Sequence, residues 1–134
     1  MDEFLEQARQ NKDFLTCIET NYPDQFFDWK VTVIFYISIH LLKSLAKQRN
    51  VEIGHTHHDI ANSLNPRRNS TQIFPFPDWV WKKYSTIFQY SQTSRYNGIK
   101  DRNLALIAQK KNYSECVSHL AAFCTYMKTK NIEL

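Results

Sequence analysis

One stretch of the chain, residues 28–47, is apolar around nearly its whole circumference when it is drawn as a helix. It carries no formal charge between Lys30 and Lys43. A surface helix has one apolar stripe, whereas a helix that is apolar all round is surrounded by other helices. The pattern therefore predicts a central helix, ending near Arg49 or Asn50, against which the rest of the chain packs.

Apolar residues at helical spacing predict four further helices. They cover about residues 2–20, 55–65, 78–97 and 112–128. Pro23 is predicted to open the central helix, because proline suits the first helical position. The run Leu104–Ala108 is ambiguous and could be extended, and Asn112 followed by Glu115 is close to a capping box. We expect an all-α, up-and-down bundle of about five helices that forms one domain over residues 1–134.

Two connections stand out. Residues 66–77 read PRRNSTQIFPFP, polar and basic first, then aromatic and rich in proline. A connection of this length without periodicity is expected to be either mobile or functional. At the end of the fourth helix, Asn97 and Gly98 are predicted to stop it, since glycine supplies a left-handed residue.

Composition excludes some classes of protein. With only two glycines and four prolines in 134 residues, a turn-dense all-β protein is excluded. The hydrophobic content of 43% is that of a globular protein. A net charge of +4 suits a polyanionic partner such as RNA, although the basic residues do not cluster as in a dedicated nucleic-acid binder. Plain solubility explains the same charge.

The cysteines and termini bear on the compartment. Cys17, Cys116 and Cys124 are odd in number and form no Cys-x-x-Cys pair, which predicts free core thiols in a reducing cytosol. The acidic N-terminus is unlike a signal peptide. The uncharged run 31–42 is too short to cross a bilayer, which takes about 20 apolar residues. A cytoplasmic protein without membrane association is expected.

The first candidate site joins two helices. Tyr36 and His40 are four residues apart on the central helix and share a face. The fourth helix carries a stripe that ends in polar residues, and its candidate groups are Tyr84, Ser91 and Arg95. If the two helices face each other, Arg95 can hold a phosphate while His40 donates a hydrogen bond from the wall. Alternatively, these groups satisfy one another and fix the helix register, as buried polar networks do.

Two weaker patterns surround His55. His55 and Asp59 are one helical turn apart and could share a metal, but a zinc site needs further protein ligands, so neither a metal nor another cofactor is expected. Arg49 and His55 are separated by five residues. Metal-independent RNA cleavage needs an imidazole near the 2′-hydroxyl and a cation by the phosphate, and this pair could supply both.

The pattern DW-x-VT-x(2)-FY-x(3)-H-x(4)-LA over residues 28–46, followed by Gly54-His55, resembles proteins of the HEPN superfamily. The later Tyr84-x(6)-Ser91-x(3)-Arg95-Tyr96 is similar to a downstream stretch of such chains. The resemblance covers about residues 24–97. It implies a helical bundle, commonly a homodimer, and in many members a ribonuclease of toxin–antitoxin or antiviral systems that works beside a nucleotidyltransferase-type partner.

The resemblance also implies a catalytic motif, Arg-x(4–6)-His, which Arg49 and His55 match in letters. Its position differs, because the motif belongs near the start of a late helix in that family. The interpretation adopted is an accessory domain that binds RNA, a nucleotide or a phosphate group through Tyr36, His40 and the fourth helix. One alternative is a ribonuclease that uses Arg49 and His55, and another is a protein-interaction module built on the loop 74–77 and Trp79.

Overall fold

A computed structural model describes residues 2–67, 72–96 and 102–134, without the side chains of residues 94–96. Within these residues the chain forms helices and no strands, which confirms the all-α prediction. The helices are α1 (Glu3–Asn21), α2 (Phe27–Gln48), α3 (His57–Leu64), α4 (Asp78–Tyr96) and α5 (Arg102–Lys128).

The first two helices form an antiparallel hairpin that polar contacts hold at both ends. At the open end, Asp2 caps α1 and accepts a hydrogen bond from Ser44. At the turn, the ammonium group of Lys30 lies 2.6 Å from the carbonyl oxygen of Tyr22 and 4.6 Å from the ring centroid of Phe27. Lys30 is only 1% exposed, and burial lowers its pKa. These contacts fix how α1 lies along α2.

Helix α2 is the centre of the bundle, as its apolar pattern predicts. Fifteen of its 22 residues are buried, and α1, α4 and α5 all pack against it. Within the described residues, α2 also has the length and hydropathy of a membrane-spanning helix. The helix is longer than the uncharged run 31–42, so its length does not exclude a membrane span, contrary to the expectation from that run. Because 78% of that window is buried inside the protein, packing by other helices accounts for its apolar character.

Two predicted boundaries are wrong. Helix α2 begins at Phe27 and not at Pro23, because Phe26 adopts a left-handed conformation with φ of 59° before it. Helix α5 begins at Arg102, so the run Leu104–Ala108 is helical and Asn112 lies inside the helix. Alanine, leucine, glutamine and lysine are strong helix formers, and this propensity outweighs the capping signal.

Two other expectations differ from the structure, and a third is not tested by it. Cys17 is exposed, whereas Cys116 is buried as expected, and burial raises the pKa of the Cys116 thiol to about 12. In the loop, Phe74 and Phe76 lie in the core. The side-chain amide nitrogen of Gln72 donates hydrogen bonds to the carbonyl oxygens of Leu64 and Phe76. The predicted stop at residues 97–98 lies outside the described residues.

Candidate nucleic-acid interface

The stripe on α4 forms part of the core. Tyr84 is fully buried, and its hydroxyl lies 3.0 Å from Nδ1 of His57 on α3. Burial raises the pKa of Tyr84, so the phenol keeps its proton. The ring of His57 lies parallel to that of Phe88, with the two centroids 3.5 Å apart. This part of α4 therefore joins α3 to the bundle.

The polar end of the same stripe bonds within its own helix. The hydroxyl of Ser91 is buried and donates to the carbonyl oxygen of Phe88 at 2.7 Å. Arg95 lies near the end of α4, and its side chain is outside the described residues. The described contacts of Tyr84 and Ser91 are those of a helix-packing interface.

Tyr36 and His40 face another direction. Tyr36 is 43% exposed, and His40 is half-buried, with Nδ1 lying 2.7 Å from the carbonyl oxygen of Tyr36. A carbonyl oxygen only accepts hydrogen bonds, so Nδ1 carries the hydrogen of the neutral ring and Nε2 carries none. Burial lowers the pKa of His40, and the charge of Lys43 lowers it further, so the imidazole is neutral at neutral pH.

Four of the five residues of the predicted pocket have described side chains, and these four are divided between two surroundings. Tyr84 and Ser91 are in the interior, and Tyr36 and His40 are at the surface of α2. Neither of the two cavities described below is lined by any of these four side chains. Tyr36 and His40 belong instead to a line of residues along α2.

This line, which we call the α2 strip, consists of Trp29, Tyr36, His40, Lys43 and Lys47. The residues follow one another at spacings of seven, four, three and four. At about 100° per residue, these spacings place all five within an arc of about 60°. Trp29 is 59% exposed and Lys47 is exposed, while the positions that flank the strip are buried. The strip runs about 27 Å along the helix, given a rise of 1.5 Å per residue.

The α2 strip lies in the region that contains most of the exposed aromatic side chains. Within the described residues, the exposed aromatic residues of the α1–α2 hairpin are Phe14, Tyr22, Phe26, Trp29 and Tyr36. Trp79 is also exposed, but it lies at the start of α4 and not in the hairpin. Among these residues, Trp29 and Tyr36 share the exposed line of α2, and exposed aromatic groups that lie together indicate a contact surface.

At its C-terminal end, the α2 strip opens into a cleft of about 420 Å³. The walls are the first turn of α1, the end of α2 and the link between α2 and α3. The apolar lining residues are Phe4, Ala46, Val51 and Ile53. The polar ones are Glu3, Lys43, Lys47, Asn50, Glu52 and His55. The ammonium group of Lys47 forms an ion pair with the carboxylate of Glu3 across this end.

The link has its shape for local reasons. Asn50 adopts a left-handed conformation after the last turn of α2, and Gly54 has a φ of +89°. A Cβ atom at Gly54 would lie 2.3 Å from that of Asp59, so a side chain does not fit there. Asp59 itself forms a capping box with Thr56 at the start of α3. The sequence spacing paired Asp59 with His55 as possible metal ligands, but the carboxylate of Asp59 is used in this cap.

Of Arg49 and His55, His55 lines the cleft and Arg49 does not. His55 is exposed and lines the cleft. Arg49 is exposed at the end of α2 and is not among the residues that line it. Its charge acts on α5: burial raises the pKa of Tyr126, and the guanidinium of Arg49 opposes that shift. Arg49 and His55 thus do not line one cleft in the described structure, and the ribonuclease pair stays a prediction.

A second cavity, of about 380 Å³, lies between the end of α3 and α4. Its charged residues are paired within the protein, because the carboxylate of Asp78 lies 3.0 Å from the ammonium group of Lys82 and 3.7 Å from the guanidinium of Arg67. Among the described residues, no group of three or more histidines, cysteines, aspartates or glutamates is arranged to hold a metal ion. The α2 strip and its cleft are therefore the candidate site.

Sequence reasoning found Tyr36, His40 and His55 but missed Trp29 and Lys43. The available signal was the seven-residue spacing that separates Trp29, Tyr36 and Lys43. No family model, curated protein or solved structure matches the chain.

Proposed function

We propose that this protein binds single-stranded RNA along the α2 strip, as an accessory domain of the kind that the HEPN resemblance implies. The supporting observation is that the strip combines exposed aromatic rings with cationic groups on one line of a rigid helix. Proteins that bind single strands combine these two features: aromatic rings stack on bases, and cations follow the backbone.

The strip supplies the two kinds of contact at separate positions. Trp29 and Tyr36 are two helical turns apart, about 10.5 Å along the axis, so each ring can stack on a different base. Lys43 lies two turns further on and provides the charge for a phosphate. Lys47 is already paired with Glu3, which leaves Lys43 as the principal cation of the proposed contact.

His40 connects the aromatic and cationic parts of the strip. Its imidazole is neutral at neutral pH, and its Nδ1 hydrogen goes to the carbonyl oxygen of Tyr36. The other nitrogen, Nε2, is then an acceptor. A 2′-hydroxyl can donate to it, and this group is what distinguishes RNA from DNA. We therefore expect RNA to bind more tightly than DNA of the same sequence.

The test of the aromatic contact is fluorescence anisotropy with a labelled, unstructured RNA. Removing a stacking ring costs about 1–3 kcal/mol per base, so Tyr36→Ala should weaken binding roughly tenfold or more. Trp79→Ala is the matched control, because Trp79 is 50% exposed but lies on α4. Equal affinities of wild type and Tyr36→Ala for the RNA would count against the strip.

The cationic contact has its own test in the salt dependence. Lys43→Gln should reduce the slope of log K against log salt by about 0.7, the value for one phosphate of a single strand. Lys110→Gln on α5 makes the same change in charge at an exposed position away from the strip and should leave the slope unchanged. If the two variants behave alike, the binding follows net charge and not the strip.

The proposal includes a cytoplasmic homodimer and a nucleotidyltransferase-type partner protein, both from the resemblance. If Tyr36→Ala turns a dimer into a monomer in sedimentation and RNA affinity does not change, the strip is a subunit interface instead.

The protein-interaction alternative relied on the loop 74–77. Phe74 and Phe76 of this loop are buried in the core, so their rings do not form a surface for a partner. The ribonuclease alternative is tested by RNA cleavage without metal in wild type and His55→Ala.

A further inference from the structure

The cleft at the C-terminal end of the α2 strip differs from the strip in shape. The strip is an open line on one helix, whereas the cleft is bounded on three sides by α1, α2 and the link. Across it, the first turn of α1 faces the link residues Glu52–His55. The ion pair between Glu3 and Lys47 connects the two helices at the same place. Because Lys43 and Lys47 line the cleft, a strand that follows the strip to its C-terminal end reaches the cleft.

The size and lining of the cleft suit one nucleotide. Its volume of about 420 Å³ falls within the range of roughly 300–1,000 Å³ that is usual for small-molecule sites. Phe4, Val51 and Ile53 offer apolar surface for the faces of a base. The edge of a base carries both donors and acceptors, and the amide of Asn50 and the carboxylate of Glu52 supply the complementary groups.

The charges in the cleft favour an end of a strand over a free polyphosphate. Two ammonium groups and two carboxylates line it, and Lys47 is already paired with Glu3. Lys43 and Glu52 are the charged groups that remain, so the cleft offers one ammonium group to a phosphate and not several. Lys43 belongs to both the strip and the cleft, so a phosphate held there would join the nucleotide in the cleft to the strand on the strip.

We propose that the cleft holds the terminal nucleotide of the RNA strand, with the base against Phe4 and Val51 and its phosphate beside Lys43. This inference rests on the proposed function, since it takes the strand on the α2 strip as given. It adds that the protein distinguishes RNA with a free end from RNA without one.

The test compares a linear RNA with the same sequence closed into a circle, which has no end. Wild-type protein should bind the linear form at least roughly tenfold more tightly, equivalent to about 1.4 kcal/mol. Val51→Trp fills the cleft and should abolish this preference while the affinity for the circle persists. Val117→Trp makes the same substitution at a 41% exposed valine of α5 and should retain the preference.

A second measurement needs no variant. Nuclear magnetic resonance titration of wild-type protein with uridine, guanosine and adenosine monophosphates should shift signals of the link and of the first turn of α1. Binding of both RNA forms with equal affinity, with no shifts at the cleft, would overturn the terminal-nucleotide site and leave the strip intact. If mononucleotides bind at the cleft but neither RNA form binds, the strip fails instead.

Discussion

Two stripes in this bundle use the same kinds of residue in opposite surroundings. The stripe on α4 begins with the aromatic residues Trp81, Tyr84 and Phe88 and ends with Ser91. The α2 strip begins with Trp29 and Tyr36 and ends with His40, Lys43 and Lys47. The α4 stripe contacts α3 through a stacked histidine and a tyrosine hydroxyl. The α2 strip keeps its tyrosine and tryptophan at the surface. Aromatic and polar residues at helical spacing therefore indicate a contact face without indicating what it contacts.

The two tyrosines show the difference most clearly. Tyr84 is buried and its hydroxyl has a partner inside the protein, so its whole side chain contributes to stability. Tyr36 contributes its backbone carbonyl to His40, while its ring is 43% exposed. Residues of the first kind hold helices together, and residues of the second kind are available to a ligand.

The largest expected effect separates the two tyrosines by truncation. Tyr84→Ala should lower the free energy of unfolding by about 3–5 kcal/mol, because it leaves a cavity between α2, α3 and α4. Tyr36→Ala should lower it by only about 1 kcal/mol, because Tyr36 is 43% exposed and its ring contacts that of Phe35 at the edge of the core. Urea unfolding followed by far-ultraviolet circular dichroism measures both. Comparable losses in the two variants would remove the distinction between the stripes.

A smaller effect isolates the hydroxyl groups. Tyr84→Phe keeps the ring but removes the oxygen 3.0 Å from Nδ1 of His57, which should cost about 1 kcal/mol. The matched change Tyr36→Phe should leave stability unaltered, because that hydroxyl is at the surface. The same urea titration suffices. A loss in Tyr36→Phe as large as in Tyr84→Phe would mean that the strip tyrosine has a structural partner.

The smallest effect concerns pH. Burial lowers the pKa of His40 below its ordinary value of 6.5, so between these two values the unfolded chain binds a proton that the folded protein does not. Stability should therefore fall as the pH drops from 6.5 through this interval. The fall should be smaller in His40→Gln than in the wild-type protein.

Unfolding at several pH values from neutral to about 5 measures this difference. His119 also has a pKa lowered by burial, so His40→Gln should keep part of the slope. Identical slopes in the two proteins would show that His40 is solvated like the exposed groups of the strip. The comparison thus locates His40 between the interior and the surface.

Periodicity predicted the helices because local patterns carry that information. The extent of α1 and the burial of α2 follow from apolar spacing, and the structure adds that Asp2 caps α1. The start of α2 did not follow, because Phe26 has a positive φ, which is uncommon for a residue other than glycine and has no signal in the local sequence. The helical run Leu104–Ala108 was ambiguous because short apolar segments suit either a strand or a helix.

For the candidate site, the sequence by itself determined that Tyr36 and His40 share one face of α2, since a spacing of four residues fixes this in any helix. Only the tertiary structure decided which way that face points. The positions of α1, α4 and α5 around α2 cover the rest of its circumference and leave one arc open. Tyrosine, tryptophan and histidine each combine an apolar body with a polar tip, so their identities suit the interior and the surface equally. The packing of α1, α4 and α5 around α2, and of α2 and α3 against α4, therefore made the α2 strip a surface and the α4 stripe a core, and composition did not.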